Sequence, residues 1–440
     1  MAAIAWLSGG LDAAFAQARA QQRPLFLYWG AAWCPPCNRV KAEIFARDEF
    51  VARSAAVLCY QLDGDSAGAQ ALAARYRLRS YPTLVLYAPD GGEITRLPCE
   101  LDGELFVAAF ATALAVHAAG SSASAALDAA LSASRPLSGD EWSLLAHYAW
   151  DTDEGKLLGT RPLALTLAAL ATAAGGAHAD AAARLGLHAQ LAAGTADAAM
   201  LLAVLADARL ARANMDLFNN SGLNLIKIAS RREELAAALG GVAAQWADDF
   251  WLGAADRLMA VRLQMRLARL LAPAHGLQAQ VRDQVEQALA GSTDPYERHT
   301  LVNTAVSALN DAGLPAQAEQ VLLAELPRSH SPYYFMLSLA AAARRRGDTS
   351  AVLDWYGKAW AASVGPATRL QWGVTYLGSL IELAPQDSER IEQAAQGLLA
   401  DVRAAGADAR QQRNLGQLQK LAPKLATLAG PHTAALAAAI

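Results

Sequence analysis

At 440 residues, with 37 basic against 41 acidic side chains and 54% hydrophobic residues, the chain exceeds the size at which one core keeps growing, so two domains, or a domain joined to a repeat array, are expected. The near-cancelling charge argues against a polyanion partner, and no nucleic acid is expected. Four cysteines in the whole chain exclude a small disulfide-stapled scaffold.

In chain order, Met1 is followed by Ala2 and Ala3 without a basic start or a long apolar core, so no secretory leader is read. That start fits an exported chain whose leader was replaced by a methionine, and fits a cytosolic protein nearly as well. Up to about His117, apolar runs alternate with helical stretches. "PLFLYWG", "AAVLCYQLD", "PTLVLYAPDG" and "EITRLP" read as strands, and helices are predicted over 9–22, 36–50, 66–76 and 102–118. The step Pro89 to Gly92 ("PDGG") is hairpin chemistry. The continuous apolar run "LFLYW" predicts a strand covered on both faces, hence a central, mostly parallel sheet with helices on either side.

Residues 119–140 are small, polar and proline-marked, and read as a linker. At its end Ser138 to Glu141 has capping-box spacing for the next helix. From 141 to 440 alanine and leucine recur at helical spacing. The densest apolar run, Leu163 to Gly176, is shorter than the roughly 20 residues that cross a bilayer, so a soluble chain is expected. Gly313 and Gly347 stand 34 residues apart, each between two predicted helices. This resembles a degenerate tetratricopeptide repeat, and predicts a helical solenoid. The domains expected are therefore 1–118, of alternating strands and helices, 119–140, a linker, and 141–440, a helical repeat region.

The stretch "AAWCPPCNRV" carries Cys34 and Cys37 after a buried strand and at the start of a helix. Unpaired amides and the helix dipole there favour a negative sulfur, which lowers the Cys34 pKa. An exposed Cys34 thiolate would attack a disulfide, and Cys37, one turn inside, would resolve the mixed disulfide. Pro35 and Pro36 remove two amides from that terminus, so the pKa is expected to fall only modestly, which suits a reductant.

"WCPPC" after an apolar strand, followed by "RYRLRSYPTLVLYAPDGGEI", resembles the thioredoxin superfamily. The spread "CPPCNRVKAEIF" is similar to the domains that carry reducing equivalents in the bacterial periplasm, including the C-terminal domain of the membrane thiol reductase. The resemblance covers residues 4 to 118 and implies an α/β thioredoxin fold. It implies Cys34 as nucleophile, Cys37 as resolving thiol, Trp33 as flanking aromatic and Pro82 as a cis proline beside the cysteines. Tyr81 would then offer backbone groups to an incoming peptide.

Two departures stand out. Tyr28 occupies the strand position where thioredoxins keep a buried aspartate, so the resolving thiol's proton needs another route, through water or Glu43. Cys99, in "RLPCELD", sits where a glycine is usual beside the proline loop and would place a third thiol near the active surface.

The plainer readings are weighed beside these. A zinc site needs a second pair at ligand spacing, and Cys59, Cys99 and the eight histidines are scattered, so no metal is expected. Cys59 reads as a small buried hydrophobe in a strand, not as a partner of Cys99. Trp246, Trp251, Trp355, Trp360 and Trp372 read as core. His147, His178, His188 and His299 are assigned no chemistry.

The sequence thus predicts a thiol:disulfide oxidoreductase of reductase or isomerase type. It needs no cofactor beyond the redox-active Cys34–Cys37 pair. Its partners are protein thiol or disulfide clients and a thiol electron donor, for which a membrane reductase is a candidate, and the helical region binds clients. The location expected is the periplasm, with the cytoplasm as alternative. The rival reading is a non-catalytic scaffold, in which the solenoid is the functional part and the thioredoxin-like domain docks a redox partner.

Overall fold

A computed structural model describes residues 3–271, 277–428 and 430–440. Its first part runs α1 (Leu11–Gln21), β1 (Leu25–Gly30), α2 (Pro35–Arg39), α3 (Asp48–Ser54), β2 (Leu58–Asp63), α4 (Ala69–Tyr76), β3 (Thr83–Tyr87), β4 (Glu93–Leu97) and α5 (Gly103–Ala118). This is the order read from the sequence: helix, strand, helix, strand, helix, hairpin, closing helix.

The four strands form one sheet in the order β2-β1-β3-β4. β3 and β4 pair antiparallel, Leu84 opposite Leu97, across the predicted hairpin. Trp6 adds a parallel bridge to Cys59 beside β2. Every residue of β1 and β3 is buried, as expected of strands covered on both faces. Phe26 meets the rings of Phe50 at 5.8 Å and Phe110 at 5.5 Å, an edge-to-face cluster that ties β1 to α3 and α5. Asp102 caps α5, its carboxylate accepting from the amides of Glu104 (3.1 Å) and Leu105 (3.3 Å).

The predicted helix 36–50 is not continuous. α2 passes into a π-helical turn, Val40–Phe45, and α3 begins afresh after Arg47, whose backbone is extended (φ −75°, ψ 130°). The wider turn shifts the residues that follow relative to a regular helix.

Within the predicted linker, Ala123–Ser132 forms a helix (α6) with Ala126 and Leu127 fully buried. Small side chains read as linker composition, but they also allow close packing. α7 (Gly139–Ala146) begins with the predicted capping box: Ser138 Oγ accepts from Glu141 N at 3.2 Å, and the Glu141 carboxylate accepts from Ser138 N at 2.9 Å.

All remaining elements are helical apart from one isolated bridge, Ala196 with Ala229. Gly313 lies between Pro295–Asp311 and Pro315–Glu325, and Gly347 between Pro332–Arg345 and Thr349–Ala362. Both glycines take left-handed φ, +75° and +74°, which only glycine adopts without steric cost. Trp246 and Trp372 are buried, but Trp251 is 84% exposed beside exposed Phe250, which overturns its reading as core.

By packing, the chain divides into two compact units. The first comprises Met1–Tyr28, Pro35–Gln61 and Pro82–Leu314; the second comprises Trp29–Cys34, Leu62–Tyr81 and Pro315–Ile440. The second has its own core, in which Leu370, Leu377 and Leu380 pack with Ile391, Leu398, Leu418 and Leu421.

Candidate active site

β1 ends at Gly30 and the chain turns, with Cys34 N donating to Ala31 O at 3.3 Å. α2 starts at Pro35, where the missing amide leaves no intrahelical bond unmade. Cys34 therefore sits just before the helix and Cys37 in its first turn, as predicted. The expected exposure of Cys34 is overturned: it is 3% exposed, and Cys37 is 0% exposed.

Next to Cys34, Trp33 is held within the second unit. The Trp33 ring stacks on Tyr334 (5.8 Å, 20°) and meets Trp372 edge-on (5.5 Å, 68°). Its Nε1 donates to Thr368 Oγ1 at 2.8 Å. That hydroxyl has one proton, which it donates to Asp65 Oδ2 at 2.5 Å, and Thr368 N donates to Asp65 Oδ1 at 2.8 Å. Asp65 thereby caps the helix Pro366–Leu383, whose own N-cap is Gly365 without a side chain. A Cβ on Gly365 would fall 2.4 Å from Asp65, and its φ is +92°, so the approach requires glycine. Asp408 returns the favour at 2.8 Å to Gly68 N, at the start of α4. Burial pushes the Asp65 carboxyl above its ordinary range against these hydrogen bonds. Burial, then the neighbouring Cys34, raises the Tyr334 phenol to about 12.

The α2 side of the motif is anchored within the first unit. Thr300 Oγ1, on Pro295–Asp311, donates to Pro35 O at 2.9 Å. Arg39 Nε donates to Glu43 at 2.8 Å, and its Nη2 to Asp256 Oδ1 at 2.6 Å. Asp256 lies on the helix Ala254–Leu271. Burial and the Glu43 and Asp102 charges push the Asp256 carboxyl up, against the pull of Arg39. The geometry engages Glu43 with a guanidinium, so the sequence's proton route through Glu43 starts from a committed carboxylate.

The other predicted residues are placed as follows. Tyr81 meets Trp33 edge-on at 5.9 Å, accepts from Gln70 Nε2 at 3.1 Å and lies under the Arg413 guanidinium at 4.3 Å. Arg413 also donates to Arg79 O at 3.1 Å, so the second unit itself already engages this loop. Pro82 is buried directly before β3. Tyr28 is buried against Phe45 at 5.1 Å. Cys59 is buried in β2, where burial raises its thiol to about 12, in keeping with a small hydrophobe. Cys99 follows β4; burial and Glu100 push its thiol well up, and Cys37 is among the groups that act on it. Thr368, Asp65, Tyr334, Trp372 and Arg39 were not singled out as site residues, because nothing in their local sequence distinguishes them from ordinary helix and loop residues.

Residues 5–89 match the family model described as thioredoxin-like. Two thiol:disulfide interchange proteins of Pseudomonas aeruginosa, DsbD 1 and DsbD 2, are each 31% identical to this chain, over 106 and 102 residues. Those stretches are 24% and 22% of this chain, and 18% and 17% of the two proteins. The chain thus spans under a fifth of the length of the curated relatives it matches. No solved structure matches it. Sheet order, motif placement and family match agree that the N-terminal part of this protein is a thioredoxin-like domain, joined to a long all-helical region.

Proposed function

We propose that this protein is a thiol:disulfide oxidoreductase of reductase or isomerase type, acting on protein disulfides through Cys34 and Cys37. The observation that carries the reading is a Cys-Pro-Pro-Cys pair opening α2 directly after β1 of a thioredoxin-like sheet. The Cys34 thiolate attacks a client disulfide, forming a mixed disulfide and expelling one client thiolate. Cys37, deprotonated, then attacks the Cys34 sulfur. The Cys34–Cys37 disulfide forms and the second client thiol leaves, so the client gains the two electrons the dithiol loses. A thiol donor restores the dithiol, and we assign that role to a membrane thiol reductase of the periplasm, the donor that the resemblance of the CPPC segment leads one to expect. The helical region is assigned the recognition of clients or partners.

Because Cys34 is buried, turnover requires Trp33 to leave Tyr334 and Trp372. The same burial favours the second reading, a scaffold whose redox domain stays closed. Insulin reduction separates the two. The enzyme reading expects activity in the wild type, loss in Cys34→Ser, and accumulation of covalent client complexes in Cys37→Ala. Activity surviving in Cys34→Ser overturns the nucleophile. Absence of activity from both the wild type and Trp372→Ala, the latter made to uncover Cys34, supports the scaffold.

A further inference from the structure

A cleft of about 360 Å³ opens in the first unit beside the loop after β4, where Pro98 and Glu100 flank Cys99. Its volume is that of a small-molecule site. Leu163, Leu167 and Leu191 give it an apolar wall, and Glu100 and Asp151 face it as well.

The charges in the cleft do not balance. Its one cation, Arg184, is already engaged: Nη1 and Nη2 donate to the two oxygens of Asp216 at 2.9 and 2.7 Å, and Nε donates to Ala146 O at 3.1 Å. Among the described residues Glu100 and Asp151 have no ion-pair partner. His188 also lines the cleft; its Nε2 is shut off from solvent and has no hydrogen-bond partner among the described residues. A buried polar atom without a protein partner is costly. No trio of His, Cys, Asp or Glu among the described residues could hold a metal ion.

We propose that this cleft binds a small organic cation, an alkylammonium or alkylguanidinium, with its stem on the leucine wall and its head between Glu100 and Asp151. An anion would meet the carboxylates of Glu100 and Asp151 and find Arg184 engaged; a neutral apolar molecule would leave those two carboxylates with the Cys99 thiol and backbone amides as hydrogen-bond partners and no cation of their own. The neutral His188 ring lines the cleft next to the head group. Burial and the nearby Arg184 lower the His188 pKa to about 3, so the imidazole is uncharged at neutral pH and does not repel a cation. Burial, and for each the other's charge or that of Asp216, raises the carboxyls of Glu100 and Asp151, a cost that a bound cation relieves.

Titration calorimetry of the full chain with n-butylguanidinium tests this, with n-butanol as the neutral control at equal ionic strength. Saturable binding is expected, at least about tenfold tighter than n-butanol, with Glu100→Gln weakening it about tenfold as a lost charge-assisted hydrogen bond does. Asp151→Asn, in the short turn that follows Tyr148 at the rim of the cleft, keeps the test valid if Glu100→Gln fails to fold, and is expected to weaken binding less. A parallel titration with a blocked Ala-Arg-Ala peptide identifies the source of the head group: comparable binding points to a protein side chain, binding of the free guanidinium alone to a small molecule. Equal affinity for n-butanol, unchanged affinity in both carboxyl variants, or no saturable heat up to about 10 mM overturns the proposal.

Discussion

Residues 29–34 and 35–45 are consecutive in the chain, yet they are held by opposite kinds of chemistry. The second stretch is fixed by buried ionic groups, Arg39 with Glu43 and Asp256, and by a hydroxyl on the Pro35 carbonyl. The first is held by stacked rings and by a threonine hydroxyl that joins an indole to a carboxylate. A buried ion pair is costly to break, because each separated charge stays out of water. Rings and single hydrogen bonds, with one carboxylate and no buried cation to separate, exchange for water at lower cost. The motif therefore has one half built to stay and one half built to let go, and the releasable half carries the proposed nucleophile.

The largest effect expected from breaking this contrast is on the ionic side. Arg39→Met leaves buried Asp256 and half-buried Glu43 without this cation, and should cost about 3–5 kcal/mol of stability, read as a drop in the denaturation midpoint. Survival of the wild-type midpoint would show that the ionic half is not the permanent one. On the aromatic side, Thr368→Val removes the hydroxyl between Trp33 and Asp65. Cys34 alkylation should speed up roughly tenfold or more, the equivalent of about 1.5 kcal/mol or more for the indole bond and the bond to the carboxylate lost together, with the midpoint lowered less than by Arg39→Met. A variant that melts early without faster alkylation would place Thr368 among the structural residues instead.

The smallest effect lies outside both halves and serves as the reference. Hydrogen bonds from Arg135 lead the causes that hold the Glu141 carboxyl at about 2. A depressed folded pKa contributes stability above the ordinary carboxylate range that is lost as pH falls toward about 2. Melting of the wild type between about pH 5 and 2 should therefore show a decline that Glu141→Gln flattens, while Cys34 alkylation at neutral pH stays the same in both.

Much of the sheet region was legible because each local signal agreed with the next. Leu25–Gly30 is apolar throughout, Pro89 to Gly92 turns the hairpin, and Ser138 with Glu141 caps α7. Gly313 and Gly347 marked helix breaks by their spacing and took the left-handed backbone. What was not legible depends on residues far apart in the chain. Thr368 is 335 positions from Trp33, and no local pattern assigns either to the other. The break after Phe45 escaped because the apolar spacing runs through it, and α6 because alanine and serine describe a linker and a tightly packed helix equally well. Trp251 shows the reverse error: an aromatic residue in a helical region was taken for core, and it lies on the surface.

The bare backbone at Gly365 has a genetic consequence. The helix it opens borrows its terminal acceptor from Asp65, 300 positions upstream, and the loan depends on there being no side chain in the gap. Any single-codon change away from glycine would put a side chain there that collides with Asp65, displacing the acceptor that caps the helix and holds the Thr368 hydroxyl, so this end of the closure depends on the smallest residue in the chain.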